Sequence, residues 1–385
     1  MRPPRALESE SMMNIKTIGV ESFLNVYEHE ARIDIAQSTI ASLTMGELLE
    51  LDGQHGATFY EQLNREKMNY GWIEGSAAFK EEVARLYRHV DPANVLQMNG
   101  GTGANLNAIM ALVEPGCHVV AEYPTYQPLY DLPEALGAEV DHWVIHEEDG
   151  WQLRLDELKR LVRPDTRLIC INNASNPLGT VITTDVMEEI VEIAKRVDAW
   201  VLCDEVFFPL EEPEKCTSIV DLYEKGVCTN SVSKDYSVPA ARCGWTISNK
   251  ELADRMRVLR DYTMISCGIF NDALTTYVLR NREPIIRRNL SIIRTNRQIV
   301  NDWMRGEPRA SWIEPKGVSV SYMRLDIPVD DESFCLDLLH DTGVLLVPGS
   351  RFDLPCGARL GYCAPEDVLR EGLATLSSYL QERFD

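Results

Sequence analysis

In the stretch Ser231-Val232-Ser233-Lys234-Asp235-Tyr236-Ser237-Val238-Pro239-Ala240-Ala241-Arg242-Cys243-Gly244-Trp245, one lysine is flanked by two serines and followed by an arginine. A lysine held in a dry pocket can lose its proton and attack a carbonyl. Serine hydroxyls and the planar fork of Arg242 suit a phosphate. An amine beside a phosphate site describes a pocket for pyridoxal phosphate, whose aldehyde forms a Schiff base with lysine. A surface lysine in a polar turn accounts for this segment alone equally well, so the rest of the chain has to decide.

The elements around it bear on that choice. Cys228, Thr229, Ser231 and Val232 suit the end of a buried strand, which puts Lys234 where strand gives way to loop. Asn94-Val95-Leu96-Gln97-Met98 reads as a strand, and Asn99-Gly100-Gly101-Thr102-Gly103-Ala104-Asn105 as a glycine-rich loop opening a helix to about Leu112. Backbone N–H groups at such a helix start can face an anion. His118 to Glu122, Leu168 to Ile171 and Trp200 to Cys203 are further strands, with a helix at about 184–196 between the last two. Ser76 is placed as the N-cap of a helix through Phe79, Val83 and Leu86. Unbroken apolar strands between helices predict an α/β fold with a mostly parallel sheet covered on both faces. In such sheets a ligand lies beyond the carboxyl ends of the strands. Thr102, Tyr126, Asn176, Asp204 and Lys234 all fall at or just after those ends, and their convergence on one edge favours a site.

Two other chemistries compete with this one. The loop at Gly101 to Gly103 is a partial G-x-G-x-x-G with Glu122 about twenty residues on, as in a nicotinamide dehydrogenase, but Leu106 stands at the third glycine position. His142 and His146 have metal-ligand spacing for a helix, whereas Glu139 to Ile145 reads as a strand, which carries them about 13 Å apart. No metal site is expected.

The formal net charge of -22 argues against nucleic acid or an anionic membrane as partner. No apolar run is long enough to span a membrane. Ten scattered cysteines without a C-x-x-C pair read as reduced core thiols of a cytoplasmic protein. Met1 to Met13 reads as a polar leader without a signal-peptide core. Past about residue 280 the character changes. Arg287 to Arg305 reads as a long helix whose arginines form a solvated face. Val318 to Tyr322 alternates like a strand, Phe334 to Asp341 is a helix stopped by Gly343, and Val344 to Val347 is a strand. Leu369, Leu373, Leu376 and Leu380 form the stripe of a last helix. The expected division is an N-terminal arm with part of a small domain at 1–45, a large cofactor-binding domain at 46–285, and a small α+β domain at 286–385.

Taken in order, these positions resemble the fold-type I pyridoxal-phosphate enzymes, specifically the class I/II aminotransferases, from about residue 30 to the end. The specific parts are Asn-Pro-x-Gly at 176–179, Asp204 before Glu205-Val206, and Ser-x-Ser-Lys at 231–234 with Arg242. The resemblance implies that Lys234 carries the Schiff base and shuttles protons, and that Asp204 keeps the pyridine nitrogen protonated. It further implies that Asn176 donates to the ring 3-oxygen and that Gly101, Thr102, Ser231, Ser233 and Arg242 hold the phosphate. Tyr126 would stack on the ring, Tyr70 would reach the phosphate of a partner subunit in a homodimer, and Arg359 would clamp the substrate α-carboxylate. Substrates would be an amino acid and a 2-oxo acid. Three departures qualify the likeness. Phe207 stands where relatives carry a tyrosine, Leu178 stands where they carry threonine, and Thr263 to Asp272 lacks the arginine of aspartate-type enzymes. The stretch Ile35-Ala36-Gln37-Ser38, where many relatives have a glycine, resembles capreomycidine-synthase-like members. A lyase or cyclase on the same scaffold is therefore the alternative.

Overall fold

The computed structural model describes residues 15–384 except 52, 54 and 55; the leader at 1–13 lies outside the described residues. A sheet of seven strands forms the centre. Its spatial order is Val95–Met98, Gly244–Ile247, Gly226–Ser231, Trp200–Asp204, Thr166–Asn172, His118–Tyr123 and Glu139–Val144. The run from 226 to 144 is parallel throughout, and only Gly244–Ile247 opposes its neighbours.

The apolar runs follow from two-sided burial. Alternate side chains of a strand point to opposite faces. Ile169, Ile171, Val201 and Cys203 pack into the core on one face, while Leu168, Cys170, Leu202 and Val227 pack into the core on the other. Every residue must then be apolar, and the pattern loses its alternation. Helix Thr184–Arg196 covers the first face with Met187, Ile190, Val191 and Ala194. Helix Gly100–Leu112 lies on the second. Ser76 caps helix Ala77–Ala84 by accepting from the Phe79 N–H at 3.1 Å, as its position predicts.

A second body is built on a four-stranded antiparallel sheet, Val347–Pro348, Gly357–Leu360, Ser321–Leu325 and Ala310–Trp312. Ile33–Asp34 from the N-terminal part joins Val344–Leu345 as a parallel pair. Helices Asp331–Thr342 and Glu366–Phe384 cover this body, the latter burying the leucine stripe. Gly343 stops the former with φ 81.

Three elements differ from their expected form. The strand expected at 318–322 begins at Ser321, because the preceding residues turn to serve the cavity wall: Val318 O accepts from Tyr362 Oη, and Ser319 Oγ donates to Ser38 O. Val344 to Val347 divides between two sheets, Leu345 pairing with Asp34 and Val347 with Arg359. The long helix spans Arg282–Met304, and its arginines are not simply a solvated face. Arg294 and Arg297 pair with Glu211, and Arg288 donates to Ala41 O at 2.8 Å.

Candidate active site

The carboxyl ends of the parallel strands open into a cavity of about 820 Å³ closed on its other side by the second body and by helix Gly19–Tyr27. Gly101, Thr102, Tyr126, Asn176, Asp204 and Phe207 line it, as do Ser231, Ser233, Lys234, Arg242 and Arg359. Of the residues to which the family resemblance gives a site role, Tyr70 lies away from it. Tyr70 is 70% exposed, and its backbone carbonyl accepts from Ser266 Oγ at 2.8 Å.

Asp204 ends its strand at 2% exposure. Asn105 Nδ2 donates to Oδ2 at 2.5 Å and the Val206 N–H to Oδ1 at 3.0 Å. Burial pushes the carboxyl up to about 6, opposed by those two donors and by the charge of Lys234. Behind it, Asn172 donates through Nδ2 to Asp204 O at 2.9 Å, accepts from Asn176 N at 2.8 Å, and donates its own N–H to Glu122 at 2.8 Å. Glu122, which stands where a dehydrogenase's ribose ligand would, is thus a 1% exposed support of the strand ends and is not free for a nucleotide.

Lys234 Nζ donates to Ser38 Oγ at 2.6 Å and lies 5.6 Å from the Phe207 ring centre. Burial lowers its pKa to about 8, helped by Arg359 and Arg242 and opposed by Glu21 and Asp204. An appreciable share of the amine is therefore neutral near physiological pH. Arg359, 3% exposed, donates through Nη2 to Ala36 O at 3.0 Å and through Nη1 to Asn176 Oδ1 at 3.4 Å, while its buried Nε has no partner among the described residues. Its guanidinium rests 5.2 Å from the Phe352 ring centre. Burial lowers its pKa to about 10, so it is a cation at neutral pH with donor capacity to spare.

The far end is an anion cradle. Helix Gly100–Leu112 presents its first turn to the cavity, and Thr102 Oγ1 lies 3.0 Å from Tyr126 Oη. A Cβ at Gly100, where φ is +69, would stand 2.7 Å from Arg242 Nη2; one at Gly101 would stand 2.5 Å from Val206 Cγ2. A side chain at Gly100 would displace the Arg242 guanidinium and strain a left-handed backbone, and one at Gly101 would crowd Val206. Ser231 Oγ, accepting from Ser233 N at 3.2 Å, and Arg242 complete a donor set of dipole, hydroxyls and cation suited to phosphate. Carboxylate, amine and cradle together fit pyridoxal phosphate in number, charge and kind.

Sequence reasoning did not single out Asn105, Asn172 or Glu21. The first two look like ordinary helix and strand residues, and their role arises only from register against Asp204. Glu21 lines the cavity from a helix distant in sequence, and its charge acts on both Lys234 and Arg359. Among the described residues no group of His, Cys, Asp and Glu could hold a metal ion; His142 sits on strand Glu139–Val144 and stacks on Tyr123 at 4.2 Å.

Comparison with known proteins agrees with this geometry. The family described as aminotransferase class I and II matches residues 42–376. A capreomycidine synthase of Streptomyces vinaceus is 28% identical over 94% of this chain and 93% of its own length. An aspartate aminotransferase of Thermotoga maritima is 26% identical over 83% and 86%. The crystal structure of a PLP-dependent aminotransferase from Streptococcus suis 89-1591 superimposes with a TM-score of 0.94 at 47% identity, covering 97% of this chain and 99% of that one. The chain belongs to the class I and II aminotransferases, and pyridoxal phosphate is its cofactor.

Proposed function

We propose that the protein transfers an amino group from an L-amino acid to a 2-oxo acid, with Lys234 and Asp204 as its catalytic residues. The observation that carries this reading is a Lys234 amine and an Asp204 carboxylate facing one cavity, between an anion cradle and the spare Nε–H of Arg359. Bound pyridoxal phosphate supplies an aldehyde that takes up amines and a ring that accommodates negative charge at the adjoining carbon.

The chain's own groups supply the rest. Gly101, Thr102, Ser231, Ser233 and Arg242, which line the cavity, would hold the phosphate. Asp204, kept in place by Asn105 and the Val206 N–H, would hold a proton on the ring nitrogen. Asn176 accepts from Arg359 through Oδ1, and its Nδ2 would donate to the ring oxygen. Tyr126, which lines the same cavity, would cover the ring face. Arg359 grips the α-carboxylate with two donors, which fixes the substrate's Cα–H against Lys234. Lys234 Nζ, partly neutral, takes that proton and returns it.

Further parts of the reading concern assembly and place. A homodimer is supported by the exposed Met68, Tyr70, Trp72 and Ile73 together with Tyr262, Ile265 and Phe270, too much apolar surface to leave in water without purpose. The domain division at 45/46 and 285/286 is supported by the separate cores on either side. A cytoplasmic location is supported by ten free thiols.

Incubating the enzyme with a panel of ¹⁵N-labelled L-amino acids and pyruvate or 2-oxoglutarate tests the activity. Labelled nitrogen is expected in a new amino acid. A second reading, elimination or cyclisation, is favoured by the buried Phe207 and by the likeness to a capreomycidine synthase. It expects the label to stay in the original carbon skeleton or to leave as ammonia.

A further inference from the structure

The extended stretch from Ile35 to Ser38 connects two parts of the site that sequence distance separates. Arg359 Nη2 donates to Ala36 O at 3.0 Å, and Lys234 Nζ donates to Ser38 Oγ at 2.6 Å. The stretch itself is held from the second body. Gly361 N donates to Ile35 O at 2.8 Å, Ser319 Oγ to Ser38 O at 2.6 Å, and Ala41 N to Cys363 O at 2.8 Å. It is also pressed there: a Cβ on Gly361 would stand 1.8 Å from Gln37 O. With backbone fixed on both sides, the Ser38 hydroxyl has a defined position against the amine. Among the described residues Ser38 Oγ is the amine's hydrogen-bond partner, and Phe207 presents only an aromatic ring at 5.6 Å.

We propose that Ser38 is a positioning residue for Lys234, its hydroxyl oxygen accepting a hydrogen bond from Nζ and holding the amine at the point where the substrate proton is taken and returned. The role rests on the aminotransferase reading above. Two consequences follow from the chemistry. The accepting oxygen favours the charged amine, so Ser38 acts with Glu21 and Asp204 against burial, Arg359 and Arg242. The same stretch steadies the Arg359 clamp and the base, so substrate and proton acceptor are referred to one piece of backbone.

The test uses Ser38→Ala and Ser38→Thr in the full chain. In apoprotein, the pH dependence of Lys234 labelling by 2,4,6-trinitrobenzenesulfonate is followed by peptide mass. In holoenzyme, kcat and KM are measured. For Ser38→Ala the labelling midpoint is expected to fall by about one pH unit, the size of a lost hydrogen bond to a charged group. Its kcat is expected to fall about tenfold with KM within about twofold, since only the base is displaced. Ser38→Thr, which keeps the hydroxyl, is expected to restore both. An alanine variant with the wild-type midpoint overturns the proposal, whatever its turnover. A midpoint that moves alike in Ala and Thr also overturns it, because the hydroxyl is then irrelevant. Absence of cofactor on Lys234 after borohydride reduction would count against the aminotransferase reading instead, and the apoprotein midpoint would still decide the role of Ser38.

Discussion

Asp204 and Arg359 are both buried charges, and each is tolerated because of what it faces. An isolated carboxylate at 2% exposure is costly, which is why burial lifts its pKa toward neutrality. A protonated ring nitrogen is the partner that would draw it back down. Asp204→Asn keeps the shape and removes the charge, so the ring nitrogen loses its proton. The variant is expected to fold, to bind cofactor, and to lose about a hundredfold in kcat, roughly 2.7 kcal/mol of barrier. Stopped-flow half-reactions read this directly, and near-normal rates would place another group under the nitrogen. Arg359→Lys replaces a planar fork by a point charge. Since Nη2 and Nη1 are already committed to Ala36 and Asn176, lysine loses the orientation as well as the second bond. Steady-state kinetics are expected to show KM raised and kcat/KM lowered about tenfold to a hundredfold for every accepted amino acid. An unchanged kcat/KM would remove Arg359 from the site.

Among elements, the helix that opens at Gly100 does most to shape the cofactor end. A methyl at Gly100 meets Arg242 at 2.7 Å and a backbone that L residues rarely adopt. Gly100→Ala is expected to weaken cofactor affinity about tenfold, measured by titration of apoprotein, and to lower apoprotein stability by about 1 kcal/mol. Tighter binding would mean that the cradle is not where the phosphate sits. The parallel sheet and the order of its strands' chemistry were legible because two-sided burial writes itself as unbroken apolar runs, with polar residues appearing where the strands end. Asp204, Asn176 and Lys234 could be placed at or after strand ends from that pattern, whereas their roles came from the family resemblance. Less legible were elements whose form depends on distant partners. Val318 to Val320 alternate like strand residues, yet they turn away to meet Ser38 and Tyr362. The arginines of Arg282–Met304 look solvated until Glu211 and Ala41 are brought beside them. Asn105 carries no local signal at all, since only the packing of its helix on the sheet sets it against Asp204.

Over the whole molecule, buried acids and a net charge of -22 point the same way. Burial raises Asp204 to about 6 and both Glu122 and Glu205 to about 7, and raises Asp235 as well. Between their unfolded values near 4 and these folded values, the native chain binds more protons than the unfolded one. Stability is therefore lost as pH rises through about 6 to 7. His142, lowered by burial, opposes this as a single group. Apoprotein is expected to melt about 2–5 °C higher at pH 5.5 than at pH 7.5 by calorimetry, and a higher melt at pH 7.5 would show that these carboxyls are charged in the fold. The central claim, that the molecule is assembled around a carbonyl cofactor held by Lys234, is tested most directly by reducing holoprotein with borohydride and mapping the peptides. The account predicts a stable mass addition of one pyridoxyl phosphate on Lys234, lost in Lys234→Ala together with nearly all turnover. A cofactor adduct on another lysine, or turnover that survives Lys234→Ala, would contradict it.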